Sequence, residues 1–207
     1  MSALASPQHT HADQTHSKPV REPGGLKYYH DRVDSFLGGG NGLRRFYEGD
    51  RLKDADNHAK DMGDKLMDSG CTSEFALELS MLSLYDIVVL IDDSSSMNFK
   101  EGGERKKTLE RVLHEITGVY DLANPTGLTA VRFLNATRSK KNVRNCDVAG
   151  LLKHRVYNGG TMIGTELKRK VLDRFVFMKK PMLKPLIVMI ITDGEVSRSG
   201  GRMMSAP

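Results

Sequence analysis

Two short apolar runs limit what this chain can become. Residues 87–91 read Ile-Val-Val-Leu-Ile, and residues 186–191 read Leu-Ile-Val-Met-Ile-Ile behind Pro185. Neither alternates polar and apolar positions, and both are rich in β-branched side chains. That is the pattern of strands covered on both faces, which is characteristic of parallel strands in α/β proteins. A third run, residues 128–134, also reads as a strand, and residues 143–146 read as a short edge strand. Between them lie stretches with helical spacing. Residues 106–120 carry Leu109, Val112, Leu113, Ile116 and Tyr120, while residues 163–178 carry Ile163, Leu167, Val171, Leu172 and Phe175 on one face. Alternation of this kind predicts an α/β domain with a mainly parallel sheet flanked by helices.

The chain has 207 residues, 39% of them hydrophobic, enough for one cored domain with an appendage. Residues 1–25 are rich in Ser, His, Gln, Pro and Thr and lack bulky apolar side chains, so this stretch is expected to be a disordered tail. His9, His11 and His16 lie in it, where no fixed ligand geometry is expected. Residues 26–73 read as a weakly helical segment or linker, with Leu26, Tyr29, Val33, Phe36 and Leu37 near helical spacing ahead of Gly38-Gly39-Gly40. That glycine run follows no strand and no Gly-Lys-Ser/Thr ending occurs in the chain, so it is not a phosphate-binding P-loop. The cored domain is expected over 74–196, and 197–207 as a loose tail.

Lys and Arg number 31 against 26 Asp and Glu, a formal charge of +5. The excess is modest and scattered through pairs such as Lys140-Lys141, and aromatics make up only 6%. This reads as solvated surface charge rather than a nucleic-acid interface. Two cysteines without metal-ligand spacing suit a reducing compartment. No stretch approaches the ~20 apolar residues of a membrane helix, and residues 1–20 contain no apolar run of a signal sequence. A cytoplasmic protein is expected, and an intracellular location that includes the nucleus also agrees with these features.

The chemistry-bearing residues stand where strands end. Ligands of open parallel sheets bind at the carboxyl ends of the strands, near the point where strand order reverses. Asp92 and Asp193 follow the two apolar runs directly. In Asp92-Asp93-Ser94-Ser95-Ser96, a turn can aim the oxygens of Asp92, Ser94 and Ser96 at one point. Asn158-Gly159-Gly160-Thr161 supplies another hydroxyl ahead of a helix. Two carboxylates and three hydroxyls form a hard-oxygen donor set suited to Mg²⁺, Mn²⁺ or Ca²⁺ rather than Zn²⁺ or copper. With few charges around it, such an ion stays electrophilic and accepts a further carboxylate. Taken singly, these residues also read as a helix cap and two ordinary turns.

In the Asp-x-Ser-x-Ser of Asp92, Ser94 and Ser96, the Gly-Gly-Thr ending at Thr161 and the Thr-Asp-Gly holding Asp193, the chain resembles the von Willebrand factor type A domain with its metal-ion-dependent adhesion site. The wording looks like the intracellular fungal branch of that family. The resemblance covers about 84–195. It implies a Rossmann-like sheet flanked by helices, with Ser94, Ser96 and Thr161 as direct ligands and Asp92 and Asp193 acting directly or through water. It also implies a protein partner presenting an Asp or Glu carboxylate, and further strands beyond Asp193 that this sequence does not supply. Ser95 stands where the family usually has Gly, and Met162 and Ile163 where it often has Pro and Thr.

The expected function is therefore cation-dependent protein interaction, not catalysis. The alternatives are a metal-assisted hydrolase or phosphotransferase, with Asp92 and Asp93 as nucleophile and acid and Lys168 or Lys184 neutralising phosphate, and an inactive shortened fragment. His114 and His154 have no evident catalytic partner in the sequence. Neither nucleic acid nor membrane is an expected partner, and the sequence leaves the oligomeric state open.

Overall fold

The computed structural model describes residues 25–99, 103–177 and 182–193. The expected tails lie almost wholly outside these residues, as do His9, His11, His16 and Glu195. The chain opens with α1 (Leu26–Gly38) and α2 (Asp50–Asp68), then α3 (Ser73–Ser80) and a 3₁₀ turn, Met81–Leu84. Strand β1 (Asp86–Ile91) is followed by a single turn α4 (Ser96–Phe99) and the long α5 (Glu104–Ala123). After β2 (Leu128–Phe133) come β3 (Lys140–Val143), α6 (Val148–Leu152), α7 (Ile163–Leu167), a π-helical segment Lys168–Val176, and β4 (Leu186–Ile191).

The fold is α/β, with helices on both faces of a four-stranded sheet ordered β3-β2-β1-β4. β1 runs parallel to both β2 and β4, whereas β3 is antiparallel to β2. The sheet is therefore mixed, which corrects the expectation of a mainly parallel one. β3 escaped the apolar-run criterion because only Val143 in it is buried; its other residues, Lys140, Lys141 and Asn142, are exposed. It also ends at Val143, where the sequence pointed to 143–146. Asn145–Asp147 instead forms a 3₁₀ turn.

β1 explains the sheet's stability. Ile87, Val89 and Ile91 point to one face and pack with Leu109 and Leu113 of α5, Met62 and Leu66 of α2 and Leu152 of α6. Val88 and Leu90 point to the other face, against Ala130, Ile163, Leu167 and Val171. These five apolar side chains of β1 are at most 1% exposed. At roughly 1.5–3 kcal/mol for each large apolar side chain buried, this strand alone contributes on the order of 10 kcal/mol of transfer free energy.

Residues 26–73 are tied into this core. Tyr29, Val33 and Leu37 of α1 pack with Ala55 and Ala59 of α2 and with Met81 and Leu84. Further along, α2 turns Met62 and Leu66 into the main core. The two helices approach closely because position 63 is glycine, since a Cβ there would overlap the Tyr29 ring. The Tyr47 hydroxyl donates to the Leu84 carbonyl, joining this helical layer to the approach of β1.

Candidate functional site

The chain proceeds from β1 to β2 on one side and later places β4 on the other side of β1. Strand order thus reverses at β1, and the crevice beyond its carboxyl end is where open α/β sheets hold ligands. Asp92 sits at that point and is fully buried. Its backbone N–H donates to the Ile191 carbonyl at 2.8 Å, extending the β1–β4 ladder by one residue.

The Asp92 carboxylate is held at both oxygens. Oδ1 accepts from the Ser94 N–H at 2.9 Å, the Asx-turn arrangement that bends the chain after the strand. Oδ2 accepts from the Thr192 hydroxyl at 2.9 Å. Ser94 Oγ and Ser96 Oγ lie 3.0 Å apart, so the turn closed by Asp92 brings two hydroxyl oxygens together.

Thr161 arrives on a loop fastened to the same turn. The Asn158 N–H donates to the Asp93 carbonyl at 2.9 Å, and the Ser95 hydroxyl donates to the Gly159 carbonyl at 3.4 Å. Gly159 has a φ of +83°, and a Cβ at this position would overlap the Asn135 carboxamide, so both its conformation and its surroundings require glycine. Thr161 itself is 3% exposed.

Asp193 lies one residue past Thr192, beside the Asp92 turn, but its carboxylate already faces a cation. Arg105, in the first turn of α5, donates from Nη1 to Asp193 Oδ2 at 2.5 Å, and the Asp193 side chain is 3% exposed. Arg105, Thr192 and Asp193, with Met97, Thr108 and Ile191, line a cavity of about 350 Å³ between α5 and the end of β4.

Asp93 has a different role from its neighbour. It is 1% exposed, and its Oδ1 accepts from the Asn135 N–H at 2.7 Å and from the Asn135 side-chain amide at 3.2 Å. Its Oδ2 accepts from the Ala136 N–H at 3.1 Å. The side chain thus ties the loop after β2 to the turn after β1, while its backbone carbonyl holds the Thr161 loop. In this arrangement Asp93 organises the site, and its oxygens are committed to backbone and amide donors.

The donor set fits a hard cation in its chemistry: serine and threonine hydroxyls and a buried carboxylate, all oxygen. Among the described residues, no group of three or more His, Cys, Asp or Glu side chains is placed to hold a metal. A cation here would therefore rest on the hydroxyls of Ser94, Ser96 and Thr161 as much as on Asp92 and Asp193.

The residues considered for phosphate chemistry lie elsewhere. Lys168 donates to both Asp173 carboxylate oxygens, at 2.9 and 3.0 Å. Lys184 donates to the Ser83 carbonyl at 3.1 Å, at the opposite end of the parallel strands. His114 is paired with Asn145 Oδ1 at 3.1 Å, on the outer side of α5, and His154 is exposed.

The sequence did not single out Arg105, Thr192 or the structural role of Asp93. Thr192 and Asp93 adjoin residues that were recognised. Arg105 could be assigned only once α5 was seen to start beside the end of β4. Compared with family models, with curated proteins and with solved structures, the chain finds no match.

Proposed function

We propose that this chain is a divalent-cation-dependent protein-interaction module on a Rossmann-like scaffold of the von Willebrand factor type A kind. On this reading Mg²⁺, or Mn²⁺ or Ca²⁺ in its place, is held by Ser94, Ser96 and Thr161 together with Asp92 and Asp193. Bound there, the ion supplies a Lewis-acidic position for an Asp or Glu carboxylate of a partner protein.

The observation that carries the reading is the Ser94–Ser96 hydroxyl pair, 3.0 Å apart in a turn closed by the buried Asp92 carboxylate at the strand-order reversal. Two hydroxyls are weak ligands individually, and they favour an ion that keeps exchangeable positions for other oxygens. Arg105 bears on the same reading. Its guanidinium neutralises Asp193, so loading a cation that uses Asp193 requires Arg105 to withdraw or to share the carboxylate. Replacing Arg105 then strengthens cation binding, which is opposite to the effect of removing a ligand.

The test is thermal denaturation of the full chain during titration with MgCl₂ and MnCl₂. A ligand specific for the folded state stabilises by about 2.7 kcal/mol at a hundredfold excess over its Kd, or about 5–10 °C in a domain of this size. The response is expected to disappear in Ser94→Ala and Ser96→Ala and to appear at lower cation concentration in Arg105→Gln. An unresponsive wild-type protein would remove the basis for the proposal. Retention of an immobilised acidic peptide by the loaded protein, reversed by EDTA, tests the partner chemistry.

A further inference from the structure

A second concave site lies on the far side of β2 from that cation crevice. A cavity of about 450 Å³ is enclosed by the end of β2, the 134–139 loop, Lys141 of β3 and the π-helical segment. Six of its lining residues are cationic: Arg132, Arg138, Lys141, Arg169, Lys170 and Arg174. Among the described residues, no carboxylate lines it.

These cations are not all equivalent. Lys170 is 8% exposed, and its ammonium donates to the carbonyls of Phe133 and Leu134, both at 2.6 Å, and of Ala136 at 3.0 Å. It fixes the wall of the cavity by pinning the loop after β2 to the π-helical segment. Glu166 neutralises part of the charge, pairing with Arg169 at 2.5 Å and with Lys170 at 2.9 Å. For Arg138, Lys141 and Arg174 there is no carboxylate partner among the described residues.

Arg132 is less exposed than Arg138, Lys141 and Arg174. It is half-buried, its guanidinium lies 5.4 Å from the centre of the Phe175 ring, and its Nη1 donates to the Ser139 hydroxyl. Its Nε–H is buried without any hydrogen-bond partner among the described residues. Burial lowers its affinity for a proton, and the neighbouring Arg174 guanidinium lowers it further. Two guanidiniums forced near each other beside a buried orphan donor cost free energy that an anion between them would recover.

The backbone produces this convergence. In the π-helical segment hydrogen bonds run from i to i+5, so Arg169 and Arg174, five residues apart, come to the same wall as Lys170.

We propose that this cavity binds a small ligand carrying two or more phosphate groups. Guanidiniums match phosphate oxygens in bidentate geometry, and several cations in one enclosed wall favour a multiply charged anion over a single carboxylate. The volume is that of a small-molecule site. Its aromatic residues are already covered, Phe133 beneath Arg155 at 3.6 Å and Phe175 beneath Arg132, so they offer no stacking platform for the bases of a nucleic acid. Free polyphosphorylated metabolites and phosphoinositide headgroups share the chemistry that this wall recognises. The proposal is independent of the cation site.

The experiment is isothermal titration of the full chain with inorganic tripolyphosphate at physiological ionic strength. Saturable one-to-one binding is expected, weakened at least tenfold in an Arg138→Gln/Arg174→Gln double variant. Both of those residues are exposed, so the fold is expected to persist. The control variant Lys53→Gln/Arg111→Gln removes the same charge from α2 and α5 and should bind as the wild type does. Equal weakening in the two double variants, or binding abolished by sulfate at matched ionic strength, overturns the proposal. So does tighter binding of a single-stranded RNA that displaces tripolyphosphate. Binding of a soluble inositol polyphosphate but not of phosphoinositide-bearing vesicles identifies a free metabolite as the source of the phosphates. The reverse result identifies a lipid.

Discussion

β1 and β4 are close to interchangeable as sequences. Each has six residues, they pair in parallel register from Asp86↔Leu186 to Ile91↔Ile191, and each hands a carboxylate to the same end of the sheet. Their environments differ sharply. β1 lies between β2 and β4, and its apolar side chains are completely covered. β4 pairs with β1 alone among the described residues, none of its side chains is fully buried, and Ile190 is 39% exposed. Apolar content states that a strand can be buried. Position in the strand order decides how much of it is.

The register pair Leu90↔Ile190 offers the sharpest way to break this comparison. Leu90→Ala is expected to cost about 2–5 kcal/mol, the range for a leucine deleted from a packed core, measured by urea denaturation. Ile190→Ala should cost less than about 1 kcal/mol. Equal costs would mean that the outer side of β4 is covered in solution.

The carboxylates beyond the two strands give the next contrast. Asp93 satisfies two backbone N–H groups and a side-chain amide of the loop after β2, whereas the Asp193 carboxylate forms an ion pair with Arg105. Asp93→Ala leaves buried donors without partners, at about 1–3 kcal/mol. It should also raise hydrogen exchange at Asn135 and Ala136, whose amides the Asp93 carboxylate holds. Asp193→Ala should be milder in stability and should leave those two amides protected.

A smaller effect is expected at the opposite end of β1. Burial raises the affinity of Asp86 for a proton, only partly offset by Lys184. A carboxyl whose pKa is raised in the folded state lowers stability above its unfolded pKa, and the penalty is relieved as pH falls through the folded value. Asp86→Asn is therefore expected to stabilise the protein at neutral pH, with the advantage fading as the solution is acidified. Denaturation midpoints measured from neutral to acidic pH check both the sign and the window. The smallest effect is expected for Ile190→Thr, within about 0.5 kcal/mol by thermal melting, since it replaces an exposed side chain with one equally suited to a strand.

The cation crevice and the basic cavity were not equally visible in the sequence. Asp92, Ser94 and Ser96 are neighbours along the chain, and a turn after a strand has few ways to arrange them, so local order was enough to find their cluster. The basic cavity draws on Arg132, Arg138, Lys141, Arg169, Lys170 and Arg174. Read along the chain these are scattered surface charges, and Lys140-Lys141 was assigned to solvent for that reason. Arg105 escaped notice similarly, because its partner Asp193 lies far along the chain.

By itself the sequence determined the α/β class, the three strands rich in apolar residues and the hydroxyl-carboxylate turn after β1. Each of these is set by side chains within a few residues of one another. The tertiary structure alone decided the antiparallel β3, the clamp made by Asp93 and the pairing of Arg105 with Asp193. These depend on which distant segments come into contact. Burial and charge neutralisation belong to pairs of such segments, and no single stretch of sequence contains both members.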